Sequence, residues 1–157
     1  MPRKFKSTDH LLIGDPRHDN KLVSKFVNSV MVEGKKSTAQ RIVYEALDII
    51  SGRLKEKDPV EVFTQAVNNA KPLIQVRSKR VGGATYQVPT EVSRKRAQML
   101  GIRWILEAAR GKKGRPVARA LADELIAAYN GEGGAMTTRE NVHKMAEANK
   151  AFSHFAW

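Results

Sequence analysis

Two glycine-lysine-lysine sequences, Gly34-Lys35-Lys36 and Gly111-Lys112-Lys113, are the first candidates for chemistry, because phosphate-binding loops present backbone N–H groups and a lysine in this order. The rest of that motif is missing. Ser29 stands where its first glycine belongs and Lys36 where the metal-holding Ser or Thr belongs, and the second sequence has the same fault. Each reads better as a helix stop followed by a basic loop. The histidines His10, His18, His143 and His154 have no second ligand at i+3 or i+4, so no metal site is expected. Glu45 and Asp48 share a helix face as an acid–base pair would, but share it with solvent and basic neighbours, which makes an ordinary surface. No serine sits in a nucleophile elbow. The absence of cysteine removes thiolate catalysis, disulfides and Cys-ligated zinc, in keeping with a reducing compartment. The expectation is no catalytic residue, no cofactor and no enzyme.

The remaining chemistry is that of charge. Of a net +12 over 157 residues, +11 falls between Lys71 and Arg119, where thirteen Lys and Arg face only Glu91 and Glu107. A single-sign excess this local concentrates and steers a polyanion, and predicts a nucleic-acid binder, of RNA in particular. With glycine included, about 48 % of the residues are apolar, an ordinary globular value. The longest unbroken apolar run, Leu125 to Tyr129, is far short of the roughly 20 residues of a membrane span, and the chain opens Met1-Pro2-Arg3-Lys4 without a signal-peptide core. No membrane partner is expected, and the location expected is the cytoplasm, or an organelle matrix if the chain is made there.

These cations need elements to carry them. Residues 1–18 carry Arg3, Lys4, Lys6 and Arg17 with little periodicity, and predict a basic arm that orders on something else. Leu22, Val23, Phe26, Val27, Val30 and Met31 recur at helical spacing over Lys21 to Val32, and Gly34 supplies the stop. Ser37 with Gln40 predicts a capping box for a second helix with Ile42, Val43, Ala46, Leu47 and Ile50 inward. Asp58 and Pro59 start a third, whose face is Val62, Phe63, Ala66, Val67 and Ala70.

At Pro72 the pattern becomes that of a hairpin spanning 72–89, with Leu73 to Val81 and Ala84 to Val88 flanking Gly82-Gly83. It carries Arg77, Lys79 and Arg80 toward its tip, with no acidic residue to balance them. A fourth helix is expected from about Ser93 to Arg110. On it Arg96, Arg103 and Arg110 fall within about 40° of one another, since seven residues is nearly two turns. Trp104 lies on its apolar arc and is expected in the core. Lys112, Lys113 and Arg115 make a basic loop, Pro116 opens a fifth helix carrying Arg119, and Thr137 with Glu140 predicts the cap of a last helix running to about Phe152. The tail, 153–157, bears Phe155 and Trp157, and with Phe152 suits either the body or a neighbouring protein. The fold expected is mainly α, a single domain of about six helices with a protruding β-hairpin between helices 3 and 4.

Asn20-Lys21-Leu22, Phe26-Val27, Gly34-Lys35-Lys36, Ile42-Val43 and Ala46 resemble, at every spacing, the signature of the ribosomal protein S-seven family of the small subunit, in its bacterial or plastid form. The resemblance continues through Gln75 to Gly83, Tyr86 to Pro89, Arg103-Trp104 and His143 to Phe152. Thr137-Thr138, Gly101 and His18 depart from the family's usual Lys, Ala and aromatic residue. The resemblance implies a protein that binds the 3′ major domain of small-subunit ribosomal RNA and nucleates assembly of the head. It implies a hairpin near the exit-site transfer RNA and the messenger path, and a C-terminal helix facing a neighbouring platform protein.

Carried onto this chain, the resemblance assigns ribosomal RNA to Arg3, Lys4 and Lys6; Lys35 and Lys36; Arg77, Lys79 and Arg80; Arg94, Arg96 and Arg103; and Lys112, Lys113, Arg115 and Arg119. The ribbon tip, Lys79, Arg80, Val81, Gly82 and Gly83, falls to the transfer RNA, and Phe152, Phe155 and Trp157 to partner proteins. Neutralising about eight phosphates predicts a log–log salt slope of roughly −6 to −7. A DNA-binding repressor would need a dimer seam, and no heptad repeat supplies one. A scaffold for an acidic protein explains the charge but not the ribbon.

Overall fold

The computed structural model of the chain describes residues 9–156. Asn20 opens the first helix, α1 (Lys21–Val30), its side-chain oxygen accepting from the N–H groups of Leu22 and Val23. α2 (Lys36–Arg53) and α3 (Pro59–Ala70) follow, and the Asp58 side chain caps α3 at the Val60 N–H with proline in the first turn, as the sequence predicts. Strands β1 (Ile74–Val81) and β2 (Ala84–Glu91) form an antiparallel pair, after which come α4 (Arg94–Gly111), α5 (Val117–Tyr129) and α6 (Gly134–Ala148). Short 3₁₀ helices occupy Asp9–Leu11 and Lys150–Phe155. The architecture is therefore the helical one expected, with a two-stranded ribbon between α3 and α4.

Several boundaries differ from the sequence pattern, each for a local reason. Glu33 and Gly34 both have positive φ (54° and 72°), and this tight turn feeds the chain into α2 at Lys36. Ser37 thus lies inside the first turn and makes no cap. Helix α1 stops at Val30 rather than Val32, where Met31 leaves the helical conformation and the Arg110 guanidinium satisfies the open Val30 carbonyl at 3.1 Å. Helix α6 begins at Gly134, so the Thr137 capping box does not form, and the Thr137 hydroxyl donates back to the Gly133 carbonyl instead. It ends at Ala148, where Asn149 bonds the Met145 carbonyl and the chain tightens into the 3₁₀ helix. Strand β2 continues past Val88 through Pro89 to Glu91. Counting from the Val81–Ala84 pair that closes the turn, Pro89 faces Val76 in a non-hydrogen-bonded pair, so its missing N–H would point outward and costs no ladder bond.

One core joins all six helices. Val23, Phe26 and Val27 of α1 meet Val43, Leu47 and Ile50 of α2, Phe63 and Val67 of α3, Ile105 of α4, and Leu121 and Leu125 of α5, with Ala135 and Met136 of α6 at its margin. Phe26 and Phe63 meet edge to face at 5.0 Å. Truncating either to alanine is expected to cost about 3–5 kcal/mol. Trp104 is 8 % exposed and belongs to this core, as its apolar direction predicts. Helix α5 packs on α2, α3 and α4 at once. Its buried Ala118, Ala120, Ala122 and Ala128 allow that, since small side chains let neighbouring axes approach.

Helix ends are fastened by side chains from elsewhere in the chain. Asn69 of α3 donates to the Ala128 and Tyr129 carbonyls at the end of α5, and Arg139 of α6 donates to the Asn69 carbonyl at the end of α3. These bonds satisfy carbonyls that a helix terminus leaves open. They also lock the helices in one arrangement, which gives the cations on the surface fixed relative positions.

Candidate nucleic-acid interface

Helix α4 is the spine of the basic surface. Its buried face carries Ala97, Ile102, Trp104, Ile105, Leu106 and Ala109, and Arg96, Arg103 and Arg110 stand exposed along the other. These three span about 21 Å at 1.5 Å rise per residue. Arg94 lies exposed at the first turn, next to the end of the ribbon. At the far end, the Arg110 bond to the Val30 carbonyl ties the end of α4, which leads into Lys112 and Lys113, to the end of α1, which leads towards Lys35 and Lys36. The stripe on α4 therefore runs from the ribbon end of the helix towards the loop that carries Lys112 and Lys113. Lys25 of α1 adds a cation facing Arg96, Arg103 and Arg110 across the groove between the two helices. The sequence reading omitted Lys25, since its place opposite α4 depends on how the helices pack.

Not every cation on this surface is open to a ligand. Lys112 is bound at 2.9 Å to the carboxylate of Glu124, which is 1 % exposed. The other oxygen of Glu124 accepts the Ala135 N–H at 3.0 Å, so this buried acid caps α6 from another helix. Gly133, at φ 97°, makes room for it, since a Cβ there would lie 2.8 Å from that oxygen. Lys35 pairs with Glu33 at 2.9 Å, Arg115 with Asp123 at 3.4 Å, and Arg103 with Glu107 at 2.8 Å. The Glu107 hydrogen bond and charge raise the Arg103 guanidinium above its ordinary range, so it stays charged throughout. Lys36, Lys113 and Arg119 are exposed.

The ribbon distributes its cations over two faces. Gly82 and Gly83, at φ 56° and 88°, make the two-residue turn with both central residues in the left-handed region. Val81 pairs with Ala84, and Lys79 with Tyr86. Because successive residues alternate, Arg77 and Lys79 share one face and Arg80 the other. The Tyr86 ring lies 5.2 Å from Phe152 and 5.1 Å from Phe155, and the Lys79 ammonium donates to the Phe155 carbonyl at 2.7 Å. The 3₁₀ helix at the C-terminal end is thus docked on the Lys79 face, while Arg77 and Arg80 are exposed. At the ribbon's base the Leu73 N–H donates to His143 Nε2 of α6 at 3.2 Å. Arg3, Lys4, Lys6 and Trp157 lie outside the described residues.

Of the arm expected over 1–18, the part from Asp15 onward is fastened to α2. The buried Asp15 carboxylate accepts from the Tyr44 hydroxyl at 2.7 Å and from the N–H groups of Arg17 and His18. Arg17 reaches on to form two hydrogen bonds with Asp48. His18 meets Tyr44 edge-on at 6.2 Å, filling the aromatic place in which it departs from the resemblance. Burial first, then the hydrogen bond and charge of Asp15, push the Tyr44 phenol up to about 12, against the opposing charge of Arg17.

Among the described residues no helix is long and apolar enough to cross a membrane, and no cluster of three or more acidic or histidine side chains is arranged to hold a metal. The small ribosomal subunit protein uS7 of Rhodopirellula baltica is 59 % identical over 155 residues, covering 98 % of this chain and 99 % of the relative. The protein of the same name from Thermotoga maritima is 57 % identical over 155 residues, covering 99 % of each. That of Methylobacterium radiotolerans is 50 % identical over the full length of both. Residues 2–150 match the profile described as ribosomal protein S7p/S5e. With its helical body, its ribbon between α3 and α4 and relatives matching end to end, the chain belongs to the ribosomal protein S7p/S5e family.

Proposed function

We propose that this protein binds the 3′ major domain of small-subunit ribosomal RNA directly and nucleates assembly of the subunit's head around it. As a member of its family the chain is a structural, non-enzymatic constituent of the small ribosomal subunit, and works in the ribosome during translation. The observation that carries the RNA reading is the line Arg96, Arg103 and Arg110 on a helix whose opposite face is locked in the core. Cations held by rigid packing keep their spacing, so they select a folded phosphate surface of matching shape rather than a base sequence. The A-form major groove is too deep and narrow for side chains to read, which leaves shape and phosphate geometry as the determinants.

In this reading Lys36, Arg77, Arg80, Arg94, Arg96, Lys113 and Arg119 meet phosphates directly. Lys35, Arg103 and Arg115 do so by sharing or exchanging an acidic partner. Arg3, Lys4 and Lys6 add contacts from the arm. Lys79 and Lys112 act mainly through the chain's own carbonyl and carboxylate. The ribbon tip, Lys79 to Gly83, lies near the exit-site transfer RNA and the messenger path, with Arg80, Gly82 and Gly83 exposed there. Phe152 and Phe155, as part of the docked 3₁₀ helix, meet neighbouring proteins of the head and platform, and Trp157 is assigned to the same partners. The ribosome concerned is cytoplasmic, or that of an organelle matrix if the chain is made there.

The test is equilibrium binding to a head-domain fragment of small-subunit ribosomal RNA beside a random RNA and a DNA duplex of equal length, each at two salt concentrations. The fragment is expected to win by orders of magnitude at the higher salt. If all three bind alike and weaken together, the protein is a general polyanion binder and the proposal falls.

A further inference from the structure

The groove between α1 and α4 encloses about 310 Å³ and has two kinds of lining. Its rim is cationic on balance, with Lys25 on one side and Arg96, Arg103 and Arg110 on the other, where Glu107 pairs with Arg103 and the Val30 carbonyl holds Arg110. Its floor is apolar: Ile102 and Leu106 are buried beneath it, and Met99 stands 53 % exposed on its wall. A phosphate backbone crossing α4 uses the rim alone. It leaves a thioether and an apolar floor open to water beneath a rim of net positive charge, where an exposed methionine gains by being covered.

An occupant that suits both linings must be flat and apolar on its face and anionic at its flanks. An unstacked nucleotide has this form. Its base can lie against the methionine sulfur and the apolar floor, and against a guanidinium plane at the rim, while the phosphates on either side meet Lys25 and Arg96. A fully paired duplex cannot enter in this way, because its base faces are stacked on one another. An acidic peptide would satisfy the rim but brings no flat apolar face to the floor.

We propose that the α1–α4 groove receives one unstacked nucleotide from a loop or junction of the bound RNA, with Met99 contacting the base and Lys25 and Arg96 holding its flanking phosphates. This rests on the RNA-binding reading of α4 and adds a base-directed contact to it. The contact is local: it involves one nucleotide, and it is non-ionic where the rest of the surface is ionic. Affinity lost through Met99 therefore carries no change in salt dependence, whereas affinity lost through Arg96 does.

The experiment uses the full chain and three RNAs: a head-domain junction fragment with unpaired nucleotides, the same fragment made abasic at those positions, and a paired duplex of equal length. Met99→Ala is expected to weaken binding to the first about three- to tenfold, with the salt slope unchanged and no effect on the other two. Arg96→Ala is expected to lower the slope by about 0.7–0.9 on all three. If Met99→Ala is silent, or weakens all three equally, while Arg96→Ala lowers the slope, the groove proposal is overturned and the RNA reading stands. If the wild-type chain shows no preference for the junction fragment over a random RNA and a DNA duplex of equal length added as controls, both fall. Thermal melting of each variant identifies losses due to unfolding, and Met99→Leu, which keeps the apolar contact, is expected to retain most of the affinity.

Discussion

The carboxylate of Glu124 and the ammonium of Lys112 lie 2.9 Å apart across the junction of α4, α5 and α6, with the acid buried and the lysine side chain 37 % exposed. The pair converts a residue of the basic loop into part of the helix packing, because the same carboxylate accepts the Ala135 N–H that opens α6. Removing one partner of a buried pair strands the other without compensation.

Lys112→Met should therefore destabilise the free protein. Water reaches the exposed side of the ammonium, which lowers the loss below that of a sealed pair, to about 2 kcal/mol. That corresponds to a melting temperature lower by about 4–8 °C. Lys113→Ala, one residue on, is exposed and should leave the melting temperature unchanged. Thermal unfolding of the two variants distinguishes a structural lysine from a ligand-facing one, and equal melting temperatures would remove Lys112 from the packing.

Lys79 and Arg80 point to opposite faces of the ribbon, so a double variant conflates two effects. Arg80→Ala alone should weaken binding to the head-domain RNA fragment and lower the log–log salt slope by about 0.7–0.9, with stability unchanged. Salt titration of the single variant checks this. An unaltered slope would withdraw Arg80 from the phosphate contacts.

Tyr86, Phe152 and Phe155 pack together beside the Lys79 bond. Phe155→Ala should remove about 0.5–1.5 kcal/mol of aromatic contact. A two-stranded ribbon is marginal by itself, so the amides of β1 and β2 should exchange several-fold faster with solvent while those of α2 and α5 keep their protection. Hydrogen exchange read by segment measures this directly. Uniform exchange rates in variant and wild type would mean the tail does not brace the ribbon.

The Tyr44 phenol is held protonated to about pH 12 in the folded chain, against an ordinary value near 10. The folded state keeps this proton longer than the unfolded chain does. Its contribution to stability is therefore complete below about pH 10 and is lost as pH rises towards 12. Titration of tyrosinate absorbance should show a phase centred near pH 12 that Tyr44→Phe deletes. Persistence of that phase in the variant would place the late proton elsewhere.

The helical body and the ribbon were legible in the sequence because their signals are local. Val62, Phe63, Ala66, Val67 and Ala70 recur at helical spacing and line the core side of α3, and Gly82-Gly83 can accept the two positive φ values of a two-residue turn. The arginine stripe was legible for the same reason, since a seven-residue spacing on one helix depends on nothing outside it. Ser37 and Thr137 misled because a capping box is weak beside the alternatives the fold supplied: a tight turn at Gly34 in one case and the Glu124 carboxylate in the other.

Composition and periodicity by themselves determined that this chain is a helical protein with a concentration of positive charge between Lys71 and Arg119 and a hairpin between its third and fourth helices. Tertiary structure alone decided which cations remain available there. Lys112 and Glu124 are twelve residues apart, Lys79 and Phe155 seventy-six, and Arg110 and Val30 eighty. No periodicity encodes such pairings. They arise because a carbonyl or carboxylate withdrawn from water must find a donor, and the packing of the helices determines which donor is within reach.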